Sequence, residues 1–413
     1  MTDRLYYTDP YLRAFDATIA RVDRRDDRFV LTLDRTAFYP TTGGQPFDTG
    51  RLGALRVVDV IDEDDGSISH VVELPDDLEL GTQNLELKPG DAVRGEIDWL
   101  RRFDHMQQHS GQHVLSAAFQ RLFGVKTVSF HLGSEVSTID LDREMSPGDI
   151  AAAEAEANRI IWEDRPVAIR FADAEEAARM PLRKEPTRGG TLRLIDVEDF
   201  DLSACGGTHV ARTGGIGVIA VASWERFKGG QRLEFLCGGR ALNGYRALRD
   251  TTTASVRLLS VLPGDLPAGI ERLLADTKDQ KRAIVGLQGE LARYRAEELA
   301  AGAEEVRLKP DTTDSGAMCR LVTRAIDTDA NGLKALATAI IAKPGFLVVL
   351  VSTSSPALAV IARSADVGVS AQQILASLIT QFGGRGGGRP EMAQGGGLTA
   401  SPDAILAAVR AAV

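Results

Sequence analysis

The chain has 413 residues, 44% of them hydrophobic and 26% charged. That length is too great for a single core, and the composition is that of a soluble globular protein. Its formal net charge of −10 argues against a non-specific nucleic-acid coat, although a local basic patch on an acidic protein can still bind RNA. No apolar run reaches membrane-spanning length, the opening MTDRLYYTDPYLR lacks the apolar core of a signal peptide, and three cysteines make no disulfide framework, so a reducing cytoplasm and no membrane partner are expected.

Up to residue 95 short apolar stretches (29–33, 55–61, 70–74, 93–97) recur between turn signals such as Arg24-Arg25-Asp26-Asp27 and Lys88-Pro89-Gly90-Asp91. Regularly spaced short strands predict a small barrel or sandwich. Within this region Phe38 to Gly50 reads FYPTTGGQPFDTG. Gly43-Gly44 can adopt backbone conformations closed to other residues, and Gln45 offers both a donor and an acceptor. The segment reads either as a hairpin turn or as a loop that a substrate approaches.

From Trp99 the period changes to that of a helix, with Val114, Leu115, Ala118, Phe119 and Leu122 as its apolar stripe and Gly124 as its stop. Strands are expected at 127–132 and 137–141. Ser146-Pro147 opens a second helix as N-cap and first residue, with Ile150, Ala153, Ala157 and Ile161 on one face. Further strands at 167–171, 191–197, 217–223 and 232–236 complete an α+β layout of helices on a mainly antiparallel sheet. Between 243 and 300, Ile270, Leu273, Thr277, Gln280, Ile284, Leu287, Leu291 and Tyr294 keep three- and four-residue spacing. That is a heptad-like seam with a polar centre, read as a long helix or helical hairpin that either packs on its own chain or pairs as a coiled coil. RLKPDTTDSG (307–316) reads as a linker. The last hundred residues form another α/β unit, with buried strands at 319–326, 346–351 and 357–362, helices at 333–341, 371–381 and 402–411, and GGRGGGRPEMAQGGG (383–397) between the last two helices.

Two motifs carry the chemistry: His109-Ser110-Gly111-Gln112-His113 and Cys205-Gly206-Gly207-Thr208-His209. Residues four apart on a helix share a face, so His109 and His113 can present both imidazoles to one ion, with His105 a rival one turn earlier. Cys205 and His209 bracket two glycines, which argues for a tight loop. Together they offer His, His, Cys and His, a set suited to one tetrahedral zinc ion; the bland reading is hydrogen-bonded buried histidines and an inert thiol. Four protein ligands usually mark a closed structural site, whereas catalytic zinc keeps an open position. The group lacks the carboxylates of two-metal phosphoryl sites, and no GxSxG elbow is present. Basic residues flank the motifs: Arg101, Arg102, Arg121 and Lys126; Arg183, Lys184, Arg188 and Arg193; Arg226, Lys228 and Arg232. They are either a solvated surface or a local patch for RNA.

FYPTTGGQPFDTG, MQQHSGQHVLS and CGGTHVARTGGIG, in that order and spacing, with PLRKEPTRGGTLRLIDVEDFD before the cysteine, resemble the stand-alone alanyl-tRNA editing proteins of the AlaX family, which are similar to the editing region of alanyl-tRNA synthetase. The terminal glycine-rich stretch resembles the domain that follows that region and also accompanies DHH phosphoesterases, which points to the long AlaX subtype. The resemblance implies an α+β multidomain protein: a small N-terminal β-barrel (1–95), a two-layer α/β editing domain with zinc (96–240), a helical connector and linker (241–314) and a C-terminal α/β glycine-rich domain (315–413). It implies one zinc per chain at His109, His113, Cys205 and His209, and hydrolysis of the ester joining a wrong amino acid, chiefly serine with glycine as the second candidate, to tRNA for alanine. Gln45, with Gly43 and Gly44, is placed in the editing pocket, the glycine amides stabilising the oxyanion. No aminoacylation domain or Asp-His-His metal site is recognised, so editing is expected in trans and the glycine-rich domain is expected to contact tRNA or dimerise. A homodimer through the connector or that domain is one assembly open to the chain; a connector helix packed on its own chain is the other reading. Thr127 and Ser129, in the strand after the histidine helix, are the candidates for recognising the serine hydroxyl, if they are not ordinary strand hydroxyls. The alternative function is a tRNA-binding or assembly protein with a purely structural zinc.

Overall fold

The computed structural model describes residues 1–25, 28–74, 87–183, 190–308 and 318–413. Lys184, Arg188 and most of the expected linker lie outside them. The chain divides into two compact units, Met1–Ser255 and Val256–Val413.

In the first unit, β1 (Asp3–Arg4), β2 (Ala14–Arg25), β3 (Arg28–Leu33), β4 (Arg35–Thr36), β5 (Gly50–Leu52), β6 (Leu55–Asp62), β7 (Ile68–Glu73) and β8 (Ala92–Ile97) occupy the first hundred residues. Six of them close a barrel in the order β2-β3-β7-β6-β5-β8. Strand alternation fills it: Phe15, Ala17 and Ile19 of β2 point inward with Leu31, Leu33, Val57, Val60 and Val72. β8 runs directly into helix α1 (Trp99–Phe123), where Asp98 caps the helix by accepting a hydrogen bond from the Arg101 amide.

α1 is buried on nearly every side from His105 to Phe119. It packs with α2 (Pro147–Trp162) on an antiparallel sheet ordered β14-β15-β10-β9, formed by β9 (Thr127–Leu132), β10 (Ser137–Leu141), β14 (Ile219–Phe227) and β15 (Gly230–Cys237). The expected stripe of Val114, Leu115, Ala118 and Phe119 is in this core, but Leu122, one residue from the helix end, is 46% exposed. Ser146 caps α2 reciprocally with Asp149. A three-stranded sheet of β11 (Val167–Ala172), β12 (Leu192–Val197) and β13 (Asp201–Ala204), with the short helix α3 (Ala174–Ala178), leads into the Cys205 loop, and α4 (Gly239–Leu259) follows β15.

In the second unit α5 (Leu266–Ala301) is one continuous helix rather than a hairpin. Its seam faces away from its own unit: Leu273, Ile284, Leu287, Leu291 and Tyr294 are all more than half exposed, while Ala292, Ala296, Leu299 and Ala300 pack against α6 (Ala330–Ile341). The sheet runs β16 (Glu304–Arg307), β17 (Met318–Ile326), β18 (Phe346–Ser352), β19 (Ala357–Arg363), β21 (Met392–Leu398), β20 (Arg385–Arg389). Every residue of β18 is buried, because α6 covers one face and α7 (Ala371–Phe382) and α8 (Pro402–Ala412) the other. Arg307, expected to open the linker, is instead paired with Met318 at the end of β16. The glycine-rich stretch forms the β20–β21 hairpin; side chains at Gly386 or Gly388 would strike the β21 backbone. Among the described residues no helix is long and apolar enough to cross a membrane.

Candidate metal centre and glycine corner

The two motifs converge. The ligand atoms of His109, His113, Cys205 and His209 all lie within 4.8 Å of one another. α1 supplies the first two from one face. The loop after β13 supplies the others, with Cys205 Sγ 3.3 Å from His209 Nε2 and 3.4 Å from His109 Nε2. Neighbouring ligands on a tetrahedral zinc, with bonds of about 2.0–2.3 Å, sit about 3.3–3.8 Å apart. These four groups could hold a metal ion.

The second ring nitrogens make the fit more specific. His109 Nδ1 is 2.9 Å from Gln45 Oε1, His113 Nδ1 is 3.1 Å from Asp201 Oδ2, and His209 Nδ1 is 3.2 Å from Ser110 Oγ. With every Nδ1 engaged by a protein oxygen, each Nε2 is left for the interior of the group, the arrangement by which outer partners orient metal-binding imidazoles. Burial alone would raise the Cys205 thiol, but the adjoining His109 ring, by charge and by its contact with the sulfur, outweighs it and holds the thiol well below its usual range. Burial holds His209 down at about 3, so its ring is neutral and free to donate its electron pair. Asp201 is buried, yet His113 and Arg183 keep its carboxyl below the usual range. His105 is buried one turn away with no partner for Nδ1 and is not in the group.

Gly43 and Gly44 form a two-residue hairpin. Their φ values are +56° and +82°, and Thr42 and Gln45 exchange both backbone hydrogen bonds, at 3.0 and 3.3 Å. The turn and site readings of this segment are therefore compatible. Gly43 and Gly44 are exposed, while Gln45 is fully buried. Its Oε1 accepts from His109 and from the Thr208 amide (3.1 Å), and its Nε2 donates to Thr208 Oγ1 (2.8 Å). Gln45, expected among the catalytic groups, is buried behind the His109 ring.

Several contributors were hidden among charges that read as surface. Arg102 is wholly buried, paired with the equally buried Asp48 and donating to the carbonyls of Pro10 (2.8 Å) and Ala37 (2.5 Å); it fastens the glycine corner to α1 and is no part of a basic surface. Arg193 is 7% exposed and donates to the carbonyls of Tyr7 (2.9 Å), Cys205 (2.7 Å) and Gly207 (2.9 Å), clamping the Cys205 loop. Arg183 pairs with Asp201 at 2.5 Å, Arg226 with Glu144 at 3.0 Å, and Arg232 with Asp140 at 2.7 Å; Arg101 and Arg121 donate to the carbonyls of Phe47 and Phe200.

Both discrimination candidates make hydrogen bonds to other side chains. Ser129 is exposed and bonded to Asp140 across the strand pair, and Thr127 donates to Ser116 on α1 (2.7 Å). Alternation turns Phe130 toward the site instead, its ring 5.7 Å from that of His109. The buried Leu132 two residues on carried that signal.

The family description "Threonyl and Alanyl tRNA synthetase second additional domain" matches residues 192–234, and "DHHA1 domain" matches residues 318–413. The chain is 32% identical to the alanyl-tRNA editing protein AlaX-L of Pyrococcus horikoshii, over 98% of this chain and 97% of that protein. The chain belongs to the alanyl-tRNA editing protein family. It is also 33% identical to the alanine–tRNA ligase of Pyrococcus abyssi and 34% identical to that of Methanoculleus marisnigri, spanning 42% of the length of each ligase. Among solved structures, the C-Ala domain of Aquifex aeolicus alanyl-tRNA synthetase aligns at 21% identity and a TM-score of 0.22, over 26% of this chain and 96% of that domain.

Proposed function

We propose that this editing-family chain is an aminoacyl-tRNA deacylase acting in trans in the cytoplasm. It hydrolyses the ester between serine, and also glycine, and the 3′-terminal ribose of tRNA for alanine. The observation that carries this reading is the junction of exposed Gly43–Gly44 backbone with a group of four side chains, three of them buried, that could hold a metal ion, joined through the 2.9 Å contact of Gln45 and His109. In this reading residues 1–95, 96–240, 241–314 and 315–413 serve as barrel, editing domain, connector and glycine-rich domain. The exposed seam of α5 is the surface through which two chains pair.

An aminoacyl ester is already activated, so the site needs to position the 3′ end and one water rather than supply a covalent nucleophile. The water oxygen adds to the ester carbonyl carbon and the bond to the ribose oxygen breaks; one proton of the water passes to that oxygen, the other to solvent, and the amino acid leaves as a carboxylate. Backbone amides of Gly43 and Gly44 are assigned to the developing oxyanion. His109, His113, Cys205 and His209 would hold a single zinc ion, which would supply positive charge to the site. Gln45, Asp201 and Ser110 fix the imidazoles, and Arg193 fixes the loop.

The test is to incubate the protein with seryl- and alanyl-tRNA for alanine. The seryl ester should decay at least tenfold faster than the alanyl ester and than in a Cys205→Ala control. A seryl decay no faster than in that control overturns the reading. One observation favours a second function, a tRNA-binding protein with a structural zinc: four protein ligands close a tetrahedral shell. Tight tRNA binding without ester loss would select it.

A further inference from the structure

The accessible rim of the ligand group is almost devoid of side chains. Gly43, Gly44 and Gly206 are exposed and Cys205 is half-buried. Bare glycine backbone lets an ester approach but sets no limit on what that ester carries.

Two aromatic rings stand at this rim. Tyr7 lies beside Gly206, but the Arg4 and Arg193 guanidinium groups lie 5.7 and 5.5 Å from its ring centre. Phe130 is half-buried and lies directly over the glycine corner: a Cβ built on Gly44 would fall 2.7 Å from its Cε2. The Leu132 amide donates to the Gly44 carbonyl at 3.1 Å, which locks strand β9 to the turn and fixes the height of the ring above it. On its other side the ring meets His109, at 5.7 Å between centres and 43° between planes. Phe130 therefore bridges the bare backbone and the ligand group, and it is a stiff, planar side chain with no polar atom.

We propose that the Phe130 ring is the wall that limits the size of the amino acid whose ester is cleaved. This inference rests on the deacylase reading above. The ring already fills the space over Gly44, so the side chain of a bound ester must lie against the ring's edge, where serine or glycine is accommodated and a further methyl group would meet the ring. Phe130 is thus a specificity-determining residue. Steric exclusion of a single methyl group is worth on the order of tenfold or more in rate.

The test uses tRNA for alanine charged with glycine, serine or threonine, the last keeping the serine hydroxyl and adding one methyl. In Phe130→Ala, and to a smaller degree in Phe130→Leu, the threonyl-to-seryl ratio of kcat/KM should rise at least tenfold over the unmodified protein, with metal content per chain unchanged. In Phe130→Trp the seryl ester should slow more than the glycyl ester. If the variants slow all three esters by a common factor, the ring only supports His109 and the proposal is overturned. If the unmodified protein clears the seryl ester no faster than Cys205→Ala does, the deacylase reading fails and takes this one with it.

Discussion

A buried imidazole can bind a metal through one nitrogen only if the other is satisfied, and the three histidines here are served by three different groups: an amide, a carboxylate and a hydroxyl. The carboxylate at His113 is the one whose loss is cleanest to read. Asp201→Asn keeps the shape and an acceptor oxygen but removes the charge facing the ring, and a change of this kind typically weakens metal binding by 10- to 100-fold. Competition with a chromophoric chelator should show that loss, and an unchanged affinity would mean Asp201 serves only Arg183. His70 makes a different use of burial. In the barrel it meets Thr36 Oγ1 at 2.8 Å and the Leu31 carbonyl at 3.0 Å, and burial holds its pKa at about 4 against 6.5. Between those values the unfolded chain binds a proton that the folded chain refuses. The contribution of His70 to stability is therefore whole above pH 6.5 and falls as pH drops toward 4. At pH 5 the loss is roughly 2 kcal/mol. His70→Gln keeps a donor and an acceptor without titrating, so urea midpoints at pH 7 and pH 5 should move apart less in that variant, by about this amount. Equal pH dependence in both proteins would refute the assignment.

At the scale of elements, α1 and α5 are opposite cases of the same local signal. Each has a helical period and each carries glycine inside. In α1 a side chain at Gly111 would run into the Cys237 sulfur, while nothing lies within 4 Å of Gly286 and Gly289 in α5. Glycine costs a helix interior about 1 kcal/mol relative to alanine. Gly286→Ala and Gly289→Ala should accordingly slow amide exchange across the exposed stretch of α5, whereas Gly111→Ala should destabilise the first unit despite the same gain in propensity, a reversal of sign that thermal melts of the three variants can read. The ligand pairs were legible in the sequence because histidine and cysteine are scarce and four-residue spacing maps onto one helix face or one tight loop. Strand β9 was legible as a strand but not in its facing. A register shift between Asp140 and Leu141 puts Thr127 toward Ser116 on α1, while Ser129 faces the other way and Phe130 looks at the site. The β20–β21 hairpin escaped notice because six glycines suppress every strand signal while permitting the close backbone pairing that only glycine allows.

For the whole molecule the least legible feature is long-range polar pairing. Asp48 and Arg102 are 54 residues apart and Gln45 and Thr208 are 163 apart, and nothing local in either segment marks them as partners. A lone charged or amide side chain reads as solvated until the fold supplies its counterpart. The same pairings tie the barrel, α1 and the Cys205 loop into the unit Met1–Ser255, and all four candidate ligands belong to that unit. A ligand that binds only the folded state stabilises what it binds by RT ln(1 + [L]/Kd), about 4 kcal/mol at a thousandfold excess over Kd. Calorimetry of the full chain should therefore resolve a transition for residues 1–255 that falls by several degrees when zinc is stripped by a chelator and returns when zinc is restored. The transition of residues 256–413 should stay in place. A chelator that moves both transitions equally would mean the two units unfold as one, and one that moves neither would mean the histidines and Cys205 are held by hydrogen bonds alone.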